Sequence, residues 1–192
     1  MADNGGYPSF KDAFIDEVVV HGGFGAYTNV LTMVGWKPIT NVVYHEGLVC
    51  GKEAWVQHKG MERRRDKEII TAYGLAAAKD QEIWTMNGWV EWKNMSQNLS
   101  LLQLALKCFR IPHGYDGLAT PKGVKNAPPH VAPVYDIAFF GDKTWANDEF
   151  VVSTDLGPIR AHTCRHRRVF KENPEVVRAI LEGRYLQKGK TR

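Results

Sequence analysis

The chain is 192 residues long, 44% hydrophobic and 24% charged, with a formal net charge of +4. That composition excludes a disordered, collagen-like or coiled-coil chain, and the length suits one domain with room for an extended arm. No apolar run approaches the roughly 18 residues of a spanning helix, so no transmembrane segment is expected. The three cysteines, Cys50, Cys108 and Cys164, form no Cys-x-x-Cys knuckle and no paired framework, which fits a reducing compartment.

The first twenty residues carry Asp3, Asp12, Asp16 and Glu17. They resemble neither a secretory signal nor an Arg-rich transit peptide, so no cleavable presequence is visible. Charge is uneven: Val151 to Arg192 holds ten Lys and Arg against four Asp and Glu. Such a tail favours acidic protein, nucleic acid or anionic lipid headgroups.

In chain order, Ser9 can cap a helix in which Phe10, Phe14 and Val18 recur every four residues on one face. His21-Gly22-Gly23 would stop it. Phe24 to Met33 reads as either a second short helix or a packed turn. After Pro38, Val42 to Tyr44, Ala54 to Val56 and Ile69 to Tyr73 are short β-prone runs between glycines. Glu82 to Met86 and Trp89 to Trp92 flank Asn87-Gly88, the signal of a two-residue hairpin turn. Ser96 to Arg110 reads as a helix. Ile111 to Pro133 holds five prolines and three glycines and reads as extended chain. Val134 to Val152 can supply another strand pair. Asn173-Pro174-Glu175 opens a helix that Gly183 ends. No internal repeat or low-complexity segment is read.

The predicted fold is therefore α+β: an N-terminal amphipathic helix, a small antiparallel β-sheet, long extended segments and a short C-terminal helix. The divisions are 1–23 (helix and turn), 24–110 (small α+β body with a Trp-rich hairpin), 111–133 (Pro/Gly-rich extended segment) and 134–192 (basic C-terminal extension).

The search for chemistry gives little. His21-Gly22-Gly23-Phe24-Gly25 has the look of an oxyanion or phosphate loop, but no Gly-x-Ser-x-Gly elbow, third Rossmann glycine or Gly-Lys-Ser/Thr ending accompanies it. A helix stop followed by a tight turn accounts for it. His162, Cys164 and His166 alternate, so a strand would place them on one side. A structural zinc site wants four ligands, and four arginines at 160, 165, 167 and 168 surround the trio. No catalytic residue, cofactor site or metal site is assigned.

Two basic clusters, Arg63-Arg64-Arg65 and Arg165 with Arg167 and Arg168, stand apart from the aromatic hairpin of Trp84, Gly88, Trp89 and Trp92. Six tryptophans in a chain of this size are much apolar surface for one small sheet, and tryptophan is enriched in interface hot spots. With the proline-rich stretch and basic tail, they point to a chain that gains stability by lying on a partner.

The order of these blocks resembles an accessory subunit of mitochondrial respiratory complex I, the NADH dehydrogenase alpha-subcomplex subunit twelve family. Phe10 to Val20 followed by His21-Gly22-Gly23-Phe24-Gly25-Ala26-Tyr27 is similar to that family's helix and His-Gly-Gly turn. Gly51 to Trp55, Arg63 to Arg65 and Ile69 to Tyr73 follow in similar order. Trp84-Thr85-Met86-Asn87-Gly88, Trp89-Val90-Glu91-Trp92 and Asn94-Met95-Ser96 resemble its tryptophan blocks. The family's Pro-Pro-Glu-Trp-His insertion and Tyr-Tyr-Glu signature are absent, and Val131 to Arg192 has no counterpart.

The resemblance implies a non-catalytic subunit, peripheral on the matrix side of the mitochondrial inner membrane, bracing the iron–sulfur and quinone-site subunits of the matrix arm. It implies no flavin, quinone or metal of its own. His21, Gly22 and Gly23 would set the angle between helix and hairpin, while the tryptophans and arginines meet the neighbours. The rival readings are an RNA-contacting protein of an organellar ribosome, using the basic tail, and a small enzyme using the glycine loop.

Overall fold

The computed structural model describes residues 14–44, 47–52, 54–110, 112, 119–140, 148–163, 165–172 and 174–183, with backbone alone at 14–19 and 165–172. The architecture is mainly antiparallel β, with short helices, so the α+β expectation holds only in its coarser part. The N-terminal amphipathic helix is overturned. Phe14–His21 is strand β1, paired in a two-stranded sheet with β13, Arg165–Glu172. Ile15 and the run Val18-Val19-Val20 are β-branched residues, which suit a pleated surface better than a helix. The expected cap at Ser9 and the residue Phe10 lie outside the described residues.

The chain divides into two units. The flanking unit comprises 1–19 and 166–192; the body is Val20–Arg165. Within the flanking unit, helix α3 (Pro174–Leu181) agrees with the predicted C-terminal helix, and Gly183 beyond it has φ 74°.

The body holds two sheets. One has eight strands, ordered β5 (Trp55–Val56), β4 (Val49–Cys50), β2 (Asn29–Thr32), β11 (Glu149–Thr154), β12 (Gly157–His162), β8 (Glu82–Thr85) and β9 (Gly88–Glu91), with β3 (Gly35–Pro38) also paired to β2. The other is β10 (His130–Ile137), β6 (Met61–Ala72) and β7 (Leu75–Ala78). Residues 24–33, read as helix or turn, thus supply strand β2. Val42 to Tyr44 is no strand; it follows a 3-10 turn at Ile39–Asn41. The predicted helix 96–110 is shorter than expected, α2 (Leu99–Leu106), with Asn98 capping it through the Leu101 amide, and a one-turn helix α1 (Trp92–Met95) precedes it. His130 to Pro133 is no loose chain: it pairs with Ile69 to Asp66, and the register shifts between Pro133 and Tyr135. The shift accommodates Pro133, which has no amide hydrogen to donate to a ladder. Val134 to Val152 does yield strand residues, but β10 pairs with β6 and β11 with β12.

Three hairpins share one device. Thr32, Thr85 and Thr154 each donate a side-chain hydrogen bond to the carbonyl of the glycine three residues on, Gly35, Gly88 and Gly157. Each hydroxyl also accepts the amide two residues on. All three glycines have positive φ, from 107° to 140°. The turn of the Trp hairpin is therefore Met86-Asn87, one residue earlier than expected, with Thr85 opposite Gly88. Two of these hairpins share a turn sequence, Thr32-Met33-Val34-Gly35-Trp36 and Thr85-Met86-Asn87-Gly88-Trp89.

The core gathers Phe24, Phe150, Trp92, Ile83, Leu102 and Ile159, all at 0% exposure. Phe24 meets Phe150 edge to face at 5.6 Å, a geometry that suits aromatic quadrupoles. The Trp92 indole is sealed in this core and donates to the Ile70 carbonyl at 2.8 Å.

Candidate functional site

The clearest convergence of polar groups in the body lies where the chain enters and leaves it. On the way in, β1 ends at His21, followed by Gly22 and Gly23. On the way out, β12 ends at His162, followed by Thr163. Between them stand Asp80 and Gln81, on the connection from β7 to β8.

Gln81, 1% exposed, joins the two sides. Its Oε1 accepts the Gly23 amide at 2.7 Å, and its Nε2 donates to the His162 carbonyl at 2.9 Å. A donor faces the oxygen and a carbonyl faces the nitrogen, so the amide has only one satisfactory orientation. Gly23 is required here: φ is +123°, and a Cβ would overlap Val134. Its carbonyl accepts the Ala78 amide at 2.9 Å, which fixes it to the end of β7.

Asp80 repeats the arrangement with charge. Lys67 Nζ lies 2.8 and 2.7 Å from its two oxygens and also donates to the Val20 carbonyl at 2.9 Å. The Gly22 amide donates to Asp80 Oδ1 at 3.2 Å, and His21 Nδ1 stands 3.3 Å from Oδ2. On the outgoing side, the Thr163 hydroxyl is 2.8 Å from both Asp136 Oδ2 and the Ile137 carbonyl. Asp136 is fully buried, and the Arg64 guanidinium, bound to Glu62 at 2.6 Å, lies 3.5 Å from it.

Aromatic rings cover this region. Trp89 sits 3.8 Å from the His162 ring and 5.1 Å from Trp84, and the Arg160 guanidinium lies 5.4 Å from the Trp84 ring. Arg160 and Glu149, both buried, form a salt bridge in the same strand pair. The cavity left among His21, Asp80, Gln81, Glu82, His162 and Thr163 is about 10 Å³. That is close to one water and far below the room a substrate needs.

Each residue singled out from the sequence can now be placed. His21, Gly22 and Gly23 are drawn into the junction, although as the end of a strand. Trp84 and Trp89 are half-buried, with Gly88 in their hairpin, while Trp92 belongs to the core. The cluster Arg63-Arg64-Arg65 is strand β6, not a turn: Arg63 and Arg65 are exposed, and Arg64 faces the acidic groups. Arg165, Arg167 and Arg168 fall on β13, of which the backbone alone is described. Cys164 lies outside the described residues. Among the described residues, no three His, Cys, Asp or Glu side chains gather in a metal-binding cluster.

Sequence reasoning missed Asp80, Gln81, Asp136 and Thr163. Their positions in the chain carry no motif spacing, and only the strand topology brings them together.

No family model matches the chain, and no curated protein matches it. One solved structure, the crystal structure of an Ssp DnaB mini-intein variant, is similar at 13% identity with a TM-score of 0.46. It covers 77% of this chain and 97% of its own. A likeness that slight transfers no activity.

Proposed function

We propose that the chain is a non-catalytic structural module whose body is held shut at its own junction. The observation that carries this reading is the Gln81 side chain, which hydrogen-bonds the Gly23 amide on one side and the His162 carbonyl on the other. The polar groups there serve the backbone. Gly22 and Gly23 offer no nucleophile, and the Thr163 hydroxyl is engaged by Asp136 and Ile137. A 10 Å³ cavity leaves no place for a substrate. In this role the junction is a spacer that fixes the distance between the two ends of the body, at Gly23 and His162.

The accessory-subunit resemblance supplies the assembly in which such a spacer would serve, the matrix arm of complex I. The exposed Arg63 and Arg65 would meet acidic neighbours there. An RNA partner reached through the basic tail is the rival, and salt-dependent RNA binding abolished by neutralising Arg165, Arg167 and Arg168 would select it.

The test combines intact-mass measurement with hydrogen exchange. The purified chain should keep its full mass through prolonged incubation. Gln81→Leu should remove the acceptor of the buried Gly23 amide, costing about 1–3 kcal/mol. Exchange at Gly23 should accelerate far more than at Ile83. Fragments matching scission beside Gly23 or Thr163 would overturn the inert-module reading, as would unchanged Gly23 protection in the variant.

A further inference from the structure

A second cleft lies in the body, where four segments are tied by backbone bonds. The Met33 amide donates to the Leu48 carbonyl at 2.8 Å, Met61 to Val42 at 3.0 Å, Lys59 to Ala138 at 2.7 Å, and Ala138 back to Gly60 at 2.9 Å. Gly60, with φ +87°, lets the chain run close under Tyr44; a Cβ there would come 2.7 Å from the Tyr44 amide nitrogen. The cleft is open on one side and has a volume of about 410 Å³, lined by Tyr44, Gly47, Leu48, Gln57, His58 and Phe140. That volume falls within the range of small-ligand sites.

The lining has a consistent chemistry. Tyr44 and Phe140 are 43% and 51% exposed, with ring centroids 6.4 Å apart and tilted by 47°. Two open aromatic rings at one cleft are costly in water and offer faces for a third ring. The Lys59 ammonium stands 5.0 Å from the Phe140 centroid, bringing positive charge to the rim. His58 is only 5% exposed, and its Nδ1 accepts the Gly60 amide at 2.9 Å. That bond leaves the hydrogen of the neutral ring on Nε2, a buried donor with no acceptor among the described residues.

We propose that this cleft binds a small planar aromatic carboxylate. The ring of the ligand packs against the exposed edges of the Tyr44–Phe140 pair, and its carboxylate takes the charge of Lys59 and the Nε2 hydrogen of His58. The site shares no lining residue with the junction clamp and stands whether or not the module is inert.

Titration of the full chain with indole-3-acetate, followed by NMR of the His58 imidazole and the Phe140 ring, tests it. Saturable shifts of both are expected. Phe140→Ala, at a half-exposed position, should weaken binding roughly five- to tenfold through loss of the ring contact. Lys59→Gln should weaken indole-3-acetate while leaving its uncharged alcohol analogue, tryptophol, unaffected. Shifts that do not saturate, or equal affinity in wild type and Phe140→Ala, would overturn the site. Equal binding of the acid and the alcohol to the wild-type chain would overturn its preference for a carboxylate.

Discussion

A methyl group added at Gly23 and one added at Gly88 meet different surroundings, although both glycines have positive φ. At Gly23 the new Cβ would overlap Val134, a core residue of β10, so the strand itself must move. At Gly88 nothing lies within 4 Å. Gly88→Ala should therefore cost about 1–2 kcal/mol, the backbone penalty alone. Gly23→Ala should cost that plus overpacking, or roughly 3–5 kcal/mol in total, and urea denaturation of the two variants measures the gap. Cys50 makes a different prediction. Burial pushes its thiol up to about 12, with the Glu149 carboxylate adding to the rise and Arg160 opposing it. From the ordinary value of 9.0 to about 12, the unfolded chain releases a proton that the folded chain keeps. Stability from this group is thus complete below pH 9 and is lost as pH rises through that window. In a Cys108→Ala, Cys164→Ala background, iodoacetamide at pH 8 should label Cys50 only at the rate of global unfolding. Rapid labelling of the native chain would contradict the burial.

At the scale of elements, the pairing of β11 with β12 carries the buried Arg160–Glu149 ion pair beneath the Trp84–Trp89 hairpin. Breaking one side leaves an uncompensated buried charge, so Arg160→Met should destabilise by about 3–5 kcal/mol. Replacing both, as Glu149→Leu with Arg160→Met, should recover most of that loss, and a double-mutant cycle in guanidinium reads the coupling. The hairpin above this pair was legible from Asn87-Gly88 between aromatic runs, because its chemistry is local. Its register was one residue off because Thr85 and Gly88 close the strand ends. The same Thr-x-x-Gly device closes β2–β3, and the two hairpins share the sequence Thr-Met-x-Gly-Trp. Strand β1 was misread for a different reason. The four-residue spacing of Phe10, Phe14 and Val18 is helical, but Val18-Val19-Val20 is β-prone, and the strand that decides between them, β13, lies at the other end of the chain. Gln81 was illegible on the same ground: glutamine before a β-run has no local signature, and its role exists only once Gly23 and His162 have been brought beside it.

At the scale of the molecule, the ends of the body carry their own closure. Gln81, Asp80 and Lys67, which hold Val20 to Gly23 and reach His162, all lie within Val20–Arg165. So do the Phe24–Phe150 contact and the buried core around Trp92 and Ile159. A body whose core and clamp are both internal should not depend on its flanks to fold. The fragment spanning 20–165 should therefore unfold cooperatively, with a midpoint within a few degrees of that of the full chain. A fragment without a cooperative transition would mean that the flanks are part of the folding unit, and the chain would cease to be a module set between them.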